Sequence, residues 1–542
     1  MEPKKVEKRK ILKNKIFLYL TEFFSGMSLM AVELGASRLL APYFSSSQIV
    51  WTIIIGTIMI AMALGNLYGG RSADKNPNPD RLYGRIIIAS SWIGLIPVVG
   101  KYIVIGIAAV MVFTVSNAFL VWAAFATCMI IFVFPLFLLG TVTPCLVKYT
   151  VDDLDDSGKI VGRLNASNTI GSIIGTFVPT FVTIPAVGTS ITFLIFAGIL
   201  LALAIIYFLS SKVKTAKVVV GAVVFILACI FGHSDSFAFW ENDLAYEGES
   251  IYNYLQVKED DSHVILSTNV LFGVQSVYEK SDTLTGMYYD YAMAAPLMAG
   301  INEKEELDIL VLGMGTGTYA TQCQRYFGDH TKLNITGVEI DKDITKLASE
   351  FFHLSEEIPV VTYDGRAYLN VIDKKYDVIM VDAYQDITIP FQMASVEFFN
   401  LVKDHLNPGG VMVVNMNMRG KEEGNMNQYL ADTISEVFSE VCTVDVPYAT
   451  NRELFATNVS DYRQTLTKNI DKEKNADLKN LMKKLDKNLV DYVSTGYVMT
   501  DDKAPVELLS MRMIDDLIGE ETEYYKEIYK NEGLQGLINA LQ

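Results

Sequence analysis

The stretch Leu307–Thr318, which reads LDILVLGMGTGT, decides the fold of the second half of this 542-residue chain. Its apolar run ILVLG is typical of a strand that is buried on both faces of a parallel sheet. The run leads into a turn that contains Gly313, Gly315 and Gly317. A side chain there would block both the tight turn and the close approach of a ligand to the backbone. The pattern predicts a ligand-binding turn at the end of the first strand of an α/β domain.

Acidic residues follow the ends of the next predicted strands. Glu339 comes about 22 residues after the glycine turn, where an acidic side chain can accept hydrogen bonds from both ribose hydroxyls. Asp364 and Asp382 end the third and fourth strands, at the edge where such sheets bind ligands. Helix caps and loop charges are the alternative explanation for these acids. The segments NITGVEI, EIPVVTYD, YDVIMVD and GVMVVNM, with helical stretches between them, predict a doubly wound, Rossmann-like domain of the S-adenosylmethionine methyltransferase type over 301–520.

The charge distribution narrows the ligand class. Residues 1–240 carry 19 Lys and Arg against 11 Asp and Glu (+8), whereas residues 241–542 carry 26 against 51 (−25). This acidity serves solubility first, but it disfavours nucleic acid and is compatible with a small cationic substrate. The chain has no GxxxxGK[ST] phosphate cradle, and an acidic rim would repel a pyrophosphate. We expect an uncharged or cationic nucleoside, such as S-adenosylmethionine or a relative, rather than NAD or ATP.

Residues 1–235 are predicted to form a multi-pass helical membrane domain. Apolar segments long enough to cross a lipid bilayer lie near 16–40, 50–70, 86–112, 118–147, 164–186, 189–210 and 216–232. Basic residues cluster before the first segment and in alternate loops, so the positive-inside rule predicts a cytoplasmic N-terminus in the cell membrane. Seven crossings would place the acidic domain outside the cell, and a miscount of one would place it inside. The sequence leaves the side of that domain open.

Ionisable residues inside the apolar segments predict polar contacts within the membrane. Glu33 and Arg38, in ELGASRLLAP, are predicted to form an ion pair with each other or across helices. Such a pair either fixes helix packing or lines a ligand or ion path. Gly171 and Gly175 form a GxxxG step, which predicts a close approach of two helices.

The remaining segments are less specific. In HVILSTNVLFGVQSVYEK, β-branched and aromatic residues are interrupted by turn-formers, which predicts a small β unit within 236–300. A helical tail is expected over 521–542. The five cysteines form no CxxC pair and the chain has five His, so we expect neither a metal site nor a disulfide framework.

The chain resembles the spermidine synthase family, and specifically its bacterial members that are fused to a membrane bundle. The resemblance is carried by ELGASRLLAPYF and PLFLLGTVTPCLVK in the first half, and by VLGMGTGT, GVEID, YDGRAYL, YDVIMVDAY and TDDKAPVE in the second. It implies the transfer of an aminopropyl group from decarboxylated S-adenosylmethionine to the amine of putrescine, with release of methylthioadenosine. A homodimer is a further expectation.

The resemblance also implies roles for individual residues. Asp382 takes the position of the base that accepts a proton from the attacking amine. Glu339 takes the position that holds the ribose, and Asp364 with Gly365 the position that holds the adenine edge. Asn253, in SIYNYLQV, falls where the family often has a Gln that contacts the nucleoside.

The amine side of the site departs from the family pattern. Thr316 stands where the family's glycine turn commonly has an Asp that holds the polyamine, and Tyr291 stands where a Tyr-His-Glu-like segment has its acid. The TDDKAPVE segment either supplies replacement carboxylates or caps a helix. The substrate-binding residues expected on this side are Tyr289, Asp290, Tyr384 and Asp386.

The sequence is compatible with three functions. The first is a membrane-bound aminopropyltransferase with Asp382 as its base. The second is a transferase that moves another group from S-adenosylmethionine. The third is a non-catalytic domain that senses a nucleoside or a polyamine and regulates a membrane transport bundle.

Overall fold

The computed structural model of the chain falls into two compact units, one within residues 1–240 and 247–254, the other within 241–246 and 255–542. The structure describes residues 10–44, 47–114, 118–151, 157–213, 216–234, 236–241, 244–270, 274–281, 283–383, 389–417 and 423–514, with short pieces between 516 and 531. The expected helical tail over 521–542 lies mostly outside the described residues.

The first unit is built from helices that are apolar around most of their circumference, which is typical of membrane spans. The helices are α1 (Lys15–Phe44), α2 (Gln48–Lys75), α3 (Pro79–Thr114), α4 (Phe119–Ile131), α5 (Val133–Gly140), α6 (Val142–Thr150), α7 (Ser157–Val178), α8 (Ile184–Ser211) and α9 (Ala216–Phe231). Each of the seven predicted apolar segments overlaps at least one of them.

Within the described residues, five helical stretches are long and apolar enough to cross a membrane. They are Lys15–Phe44, Gln48–Lys75, Pro79–Met111, Val133–Thr150 and Ser157–Ser211, and shorter apolar helices lie at Phe119–Ile131 and Ala216–Phe231. The stretch that ends at Ser211 has 55 residues, or about 80 Å of straight helix, far more than one bilayer needs. A π-helical turn at Pro179–Thr183 and the non-helical Gly188 (φ 79°, ψ 172°) interrupt it. The multi-pass prediction is supported, and the count of seven stays a prediction.

Helices α1 and α7 approach each other as the GxxxG step predicts. A Cβ atom on Gly171 would lie 2.0 Å from the Phe23 carbonyl oxygen, and one on Gly175 would lie 2.1 Å from that of Met27. Next to this contact, the buried carboxylate of Glu22 accepts a hydrogen bond from the Asn168 side chain at 2.9 Å. Small residues and a polar contact therefore hold these two helices together.

A small sheet follows the helices. Its strands, in the order β1-β2-β3-β4, are β1 (Leu244–Glu249), β2 (Tyr254–Glu259), β3 (His263–Ser267) and β4 (Ser276–Glu279). The pairs β2–β3 and β3–β4 are antiparallel. The predicted β unit is wrong for its last part, where the chain forms α10 (Tyr288–Ala292) and α11 (Ala294–Met298). The run AMAAPLM is rich in helix-forming Ala and Met, and it packs into the core of the second unit.

The second unit is centred on an eight-stranded mixed sheet of order β12-β10-β11-β9-β8-β5-β6-β7. Its strands are β5 (Glu306–Leu312), β6 (Lys332–Glu339), β7 (Val360–Thr362), β8 (Tyr376–Val381), β9 (Leu406–Met416), β10 (Glu440–Asp445), β11 (Arg452–Thr457) and β12 (Val490–Asp491). Strands β5 to β9 are parallel to their neighbours in that group, and β11 pairs antiparallel with β9 and β10. The five predicted strands are confirmed.

Helices connect the strands and cover the faces of this sheet. They are α12 (Thr318–Phe327), α13 (Lys342–Phe351), α14 (Gly365–Val371), α15 (Val396–Asp404), α16 (Met426–Ser435), α17 (Tyr462–Lys472) and α18 (Ala476–Asn488). Strand β5 lies between β6 and β8, so the strand order reverses beside it. In open α/β sheets ligands bind in the crevice at such a switch point, outside the carboxyl ends of the strands.

Candidate active site

The glycine turn at the end of β5 has the backbone that the sequence predicts. Gly313, Gly315 and Gly317 have φ values of 82°, 54° and 84°, a region that residues with side chains rarely adopt. A Cβ atom on Gly313 would lie 2.4 Å from the Asp382 carbonyl oxygen. Glycine at position 313 therefore lets the ends of β5 and β8 meet, and Gly317 leads directly into α12.

Glu339 ends β6, and backbone N–H groups hold its carboxylate against the glycine turn. Its Oε2 accepts a hydrogen bond from the Gly315 N–H at 2.9 Å, and its Oε1 accepts one from the Asp341 N–H at 3.0 Å. The side chain is buried, and burial raises the pKa of this carboxyl. Two oxygens fixed in this way at the crevice are suited to accept a pair of neighbouring hydroxyl groups.

Asp364 forms the helix cap that the sequence left as its alternative role. Its Oδ1 accepts a hydrogen bond from the Ala367 N–H at 2.8 Å, and Gly365 is the first residue of α14. A Cβ atom on Gly365 would lie 3.2 Å from the Met393 side chain, so the space there is narrow. Asp364 can cap the helix and also contact a ligand, because the cap uses only one of its two carboxylate oxygens. The adenine contact of this pair stays a prediction.

Asp382 follows β8 and lies in a buried polar cluster. Its Oδ2 accepts a hydrogen bond from the Tyr288 hydroxyl at 2.6 Å, and its Oδ1 accepts one from the Asn415 side-chain amide at 2.9 Å. Burial raises the pKa of Asp382 to about 7, although both hydrogen bonds act in the opposite direction; the charge of Glu339 adds to the increase. A carboxyl group that ionises near neutral pH in a crevice has the properties of a general base.

Sequence reasoning missed three residues of this cluster, namely Tyr288, Asn415 and Glu453. Glu453 is the second residue of β11, the first of its buried run, and it pairs across the ladder with Asn415 of β9. Burial, and after it the charge of Asp382, raises the pKa of Glu453. The available signal was a polar residue next to a short apolar run, as in GVMVVNM and RELFAT. Only the strand order shows that these residues face the end of β8.

Two of the residues predicted for the amine side, Tyr289 and Asp290, form hydrogen bonds within the protein. The Tyr289 hydroxyl donates to the Gln275 carbonyl at 2.9 Å, and its ring lies against that of Tyr288 at a tilt of 36°, with centroids 3.9 Å apart. The Asp290 carboxylate accepts hydrogen bonds from the N–H groups of Thr285 and Gly286 and from the Thr285 hydroxyl. Asp290 thus stabilises the turn before α10, and its role in amine binding stays a prediction. Tyr384 and Asp386 lie outside the described residues.

In the TDDKAPVE segment the first carboxylate, that of Asp501, forms an ion pair with an arginine. Asp501 forms a two-pronged pair with Arg366, with both oxygen–nitrogen distances at 2.7 Å, and it accepts a further hydrogen bond from the Ser395 hydroxyl at 2.6 Å. Its charge is therefore compensated within the protein.

Asn253, Glu33 and Arg38 belong to the first unit. Asn253 lies in the turn between β1 and β2, where its N–H donates to the Ser250 hydroxyl at 2.9 Å and its carbonyl accepts from the Ser250 N–H at 2.8 Å. The Arg38 guanidinium donates to the carbonyl oxygens of Ser250 and Ile251. The nucleoside contact of Asn253 and the ion pair of Glu33 with Arg38 stay predictions.

Comparisons with known proteins indicate the family of the chain. Residues 288–469 match the family model described as "Spermine/spermidine synthase domain". The chain is 51% identical over 360 residues to a probable polyamine aminopropyl transferase of Bifidobacterium longum, a match that covers 62% of this chain and 78% of that protein. It is 25% identical over 298 residues to a polyamine aminopropyltransferase of Oceanobacillus iheyensis, covering 51% and 56% of the two chains.

Among solved structures, similarity extends to a probable spermidine synthase of Corynebacterium glutamicum. The sequence identity is 19% and the TM-score is 0.37, with 48% of this chain and 97% of the other covered.

Proposed function

The chain belongs to the polyamine aminopropyltransferase (spermidine synthase) family, and from this premise we propose that it transfers an aminopropyl group from decarboxylated S-adenosylmethionine to an amine, with Asp382 as the base. The premise rests on a relative that is 51% identical and of which the chain covers 78%. The assignment of individual residues rests on the crevice at the carboxyl ends of β5, β6 and β8.

The proposed step is an in-line displacement at carbon. The lone pair of the amine nitrogen attacks the methylene carbon that is bonded to the sulfonium. As the new C–N bond forms, the C–S bond breaks and its electron pair stays on sulfur, which leaves neutral methylthioadenosine. The nitrogen loses one proton, which the Asp382 carboxylate accepts.

The position of Asp382 is the single observation that carries this proposal. A base must be ionised to accept a proton and must also bind that proton well enough to remove it from the amine. Burial brings the pKa of Asp382 to about 7, which meets both needs near neutral pH. Hydrogen bonds from Tyr288 and Asn415 fix both oxygens, so the carboxylate is oriented before the substrate binds.

The nucleoside side of the crevice supports the same donor. Glu339 would accept the two ribose hydroxyls, and Asp364 with Gly365 would contact the adenine edge. The glycine turn would let the sulfonium part approach the backbone of residues 313–317. A cationic sulfonium suits a rim of carboxylates, whereas a pyrophosphate would be repelled.

We also propose that the protein works as a multi-pass membrane protein with its N-terminus in the cytoplasm. The five long apolar helices found among the described residues, and the basic residues that flank alternate segments, support this topology. A protease added to intact cells and to inverted vesicles would report the side of the C-terminal domain. Cleavage within residues 1–15 from outside the cell would contradict the proposed orientation.

The test of the activity uses the full-length protein in detergent. Decarboxylated S-adenosylmethionine or S-adenosylmethionine is supplied with a panel of amines, and release of methylthioadenosine or S-adenosylhomocysteine is measured. We expect methylthioadenosine with the decarboxylated donor and a large loss of release in Asp382→Asn. Equal rates for the wild type and this variant with every pair would contradict the proposal.

Two alternatives are outcomes of the same experiment. Release of S-adenosylhomocysteine with the carboxylated donor would indicate transfer of a methyl group. Binding of a nucleoside or a polyamine without any release would indicate a sensor that regulates the membrane bundle.

A further inference from the structure

Glu22 is a fully buried carboxylate on α1 of the helical first unit. Its Oε1 accepts a hydrogen bond from the Thr143 hydroxyl of α6 and another, at 2.9 Å, from the Asn168 amide of α7. Its Oε2 has no hydrogen-bond partner among the described residues. Burying a carboxylate with one unpartnered oxygen is costly in an apolar helix bundle, and ionisable groups in such places usually serve a function. Glu22 therefore points to a ligand that Oε2 binds.

Two further polar atoms without partners lie along the same side of α1. The hydroxyl groups of Tyr19 and Ser25 are buried, and within the described part of the chain neither has a hydrogen-bond partner. Residues three apart on a helix are neighbours on its surface, with Cβ atoms about 5–6 Å apart. Tyr19, Glu22 and Ser25 therefore form a series of adjacent polar groups, which we call the polar strip of α1. Buried polar groups normally have partners, so three in one series indicate a binding site.

The helices packed against the polar strip present neutral groups to it. Tyr83 of α3 lies beside it, with its hydroxyl oxygen 3.1 Å from that of Thr21. Helices α6 and α7 present Thr143 and Asn168, which donate to Oε1 of Glu22. No charged side chain among the described residues compensates the charge of Glu22.

Further titratable groups of the neighbouring helices are engaged elsewhere. Those that are buried or half-buried bond to groups other than Glu22, namely Asp80, Arg85, Cys145, Tyr149 and Tyr207. The basic residues Lys148 of α6 and Arg163 of α7 are exposed. A positive charge for Oε2 therefore has to come from the solvent.

The contacts around Glu22 favour a proton over a metal ion. Both groups that face Oε1 direct hydrogens at it, because a hydroxyl and a side-chain amide donate there. A metal ion such as Ca²⁺ or Mg²⁺ needs about six or more oxygen ligands around one point. A proton needs a single lone pair, which Oε2 provides. The hydroxyls of Tyr19 and Ser25 can each donate and accept a hydrogen bond, so they are suited to pass a proton on.

The polar strip lies near one end of the bundle. Glu22 is about 10 Å along α1 from Lys15, where the helix begins, and Tyr19 lies between them. Helices α1 and α7 run in the same direction, since Gly171 approaches Phe23 and positions 175 and 27 meet one turn further on. Glu22 is therefore closer to the end of α1 that follows the basic N-terminal residues, and a proton from water at that end has a short route.

We propose that Glu22 is a proton-exchanging site of the helical unit, at which Oε2 takes up and releases a proton that the hydroxyls of Tyr19 and Ser25 relay to and from water. Uptake forms one O–H bond between Oε2 and a proton of hydronium, which leaves a neutral carboxyl group and water. Release breaks that bond and returns the proton to water, and nothing is oxidised or reduced.

The proton changes how tightly α1 is held by its neighbours. An ionised carboxylate accepts stronger hydrogen bonds than a neutral carboxyl group. The contacts that Thr143 and Asn168 make with Oε1 therefore weaken when Oε2 takes up a proton. This coupling gives the helical unit a proton-dependent activity, which goes beyond the transfer of an aminopropyl group in the second unit.

Infrared difference spectroscopy of the full-length protein in lipid bilayers tests the site. In a step from pH 9 to pH 6 ordinary exposed carboxylates stay ionised, so the C=O band of a protonated carboxyl group arises from groups that bind a proton in this range. We expect the wild type to gain this band, and Glu22→Gln to gain it with the intensity of one carboxyl group less. Gln keeps an oxygen that accepts the two hydrogen bonds of Oε1.

Asp74→Asn is the matched control, since Asp74 is an exposed carboxylate of α2 in the same unit and pairs with Lys148 at 2.8 Å. Its difference spectrum should equal that of the wild type. Equal spectra for the wild type and Glu22→Gln would overturn the proposal, because Glu22 would then be a structural group that exchanges no proton. A Glu22 band that appears only when sodium is replaced by choline would identify Oε2 as a metal-ion ligand and would overturn it as well.

Tyr19→Phe and Ser25→Ala keep the proposal testable if Glu22→Gln does not fold. Each removes one hydroxyl of the polar strip and leaves the carboxylate in place. We expect the carboxyl band to rise at least threefold more slowly after the pH step in each variant than in the wild type. Wild-type rates in both variants would overturn the relay. None of these spectra depends on aminopropyl transfer, so the site and the proposed function are decided separately.

Discussion

The two sides of the crevice hold their carboxylates in different ways. On the nucleoside side, backbone N–H groups bind Glu339 and Asp364. On the amine side, the Tyr288 hydroxyl and the Asn415 amide bind Asp382. The two side-chain oxygens of Glu453, which pairs with Asn415 across the ladder, have no hydrogen-bond partner among the described residues.

This difference corresponds to what each side is proposed to do. Backbone donors hold the oxygens of a carboxylate in a fixed orientation, which suits recognition of neutral hydroxyl groups. Side-chain donors in a buried cluster leave the pKa of Asp382 near neutrality, which suits proton transfer. The nucleoside side would recognise a ligand, and the amine side would carry the reaction.

The largest effect is expected from Asp382→Asn. The variant keeps the size of the side chain but cannot accept a proton, and loss of a general base typically costs 10²–10⁴-fold in rate. We expect methylthioadenosine release to fall by about 10³-fold, with nucleoside affinity within threefold of the wild type. The control is Asp373→Asn, an exposed carboxylate in the loop before the same strand. A loss of nucleoside affinity in Asp382→Asn would contradict the division of the crevice into a nucleoside side and an amine side.

The pH profile should give the next largest effect. Asp382 acts as a base only when ionised, so its contribution is present above its pKa of about 7 and is lost as the pH falls below it. In a plot of log kcat/KM for the amine against pH, the slope below about pH 7 should be greater by one than the slope above it. Between pH 7 and pH 5 this term alone amounts to roughly a hundredfold. A profile without this break would contradict the role of Asp382 as the base.

Glu339→Gln is expected to affect the other side of the crevice. Hydrogen bonds to a charged group contribute about 1.5 kcal/mol or more, so the KM for the nucleoside should rise by roughly tenfold. The KM for the amine should change by less than threefold. The exposed Glu356→Gln serves as control, and equal increases in both KM values would contradict the division of the site.

The smallest effect is expected from Asp501→Asn. Asp501 pairs with Arg366 at a partly exposed position, where such pairs contribute about 1 kcal/mol or less. We expect a decrease of a few degrees or less in Tm and a change below threefold in the KM for the amine. A tenfold increase in that KM would make Asp501 an amine ligand and would contradict its assignment as a structural ion pair.

In the helical first unit, the local sequence predicts where the helices lie but not how the longest helical stretch is divided. Each apolar segment predicted from length alone overlaps at least one helix, because a span must satisfy its own backbone hydrogen bonds within one stretch of chain, but the predicted segment 118–147 contains parts of three helices. The division of the 55-residue stretch depends on Gly188 and the π-helical turn, which are features of the folded backbone. The end of the small β unit was misplaced because an apolar run rich in Ala can be a buried helix or part of a strand until its packing is known.

The sequence by itself determined the parallel strands, the glycine turn and the acids that end β6, β7 and β8. These depend on neighbours along the chain, since strand periodicity, turn conformation and backbone caps are all local. Only the tertiary structure decided the amine side, where Tyr288, Asn415 and Glu453 come from three distant segments and meet through the strand order. A contact between side chains far apart in sequence has no local signature, because its energy arises only when the sheet brings β8, β9 and β11 together.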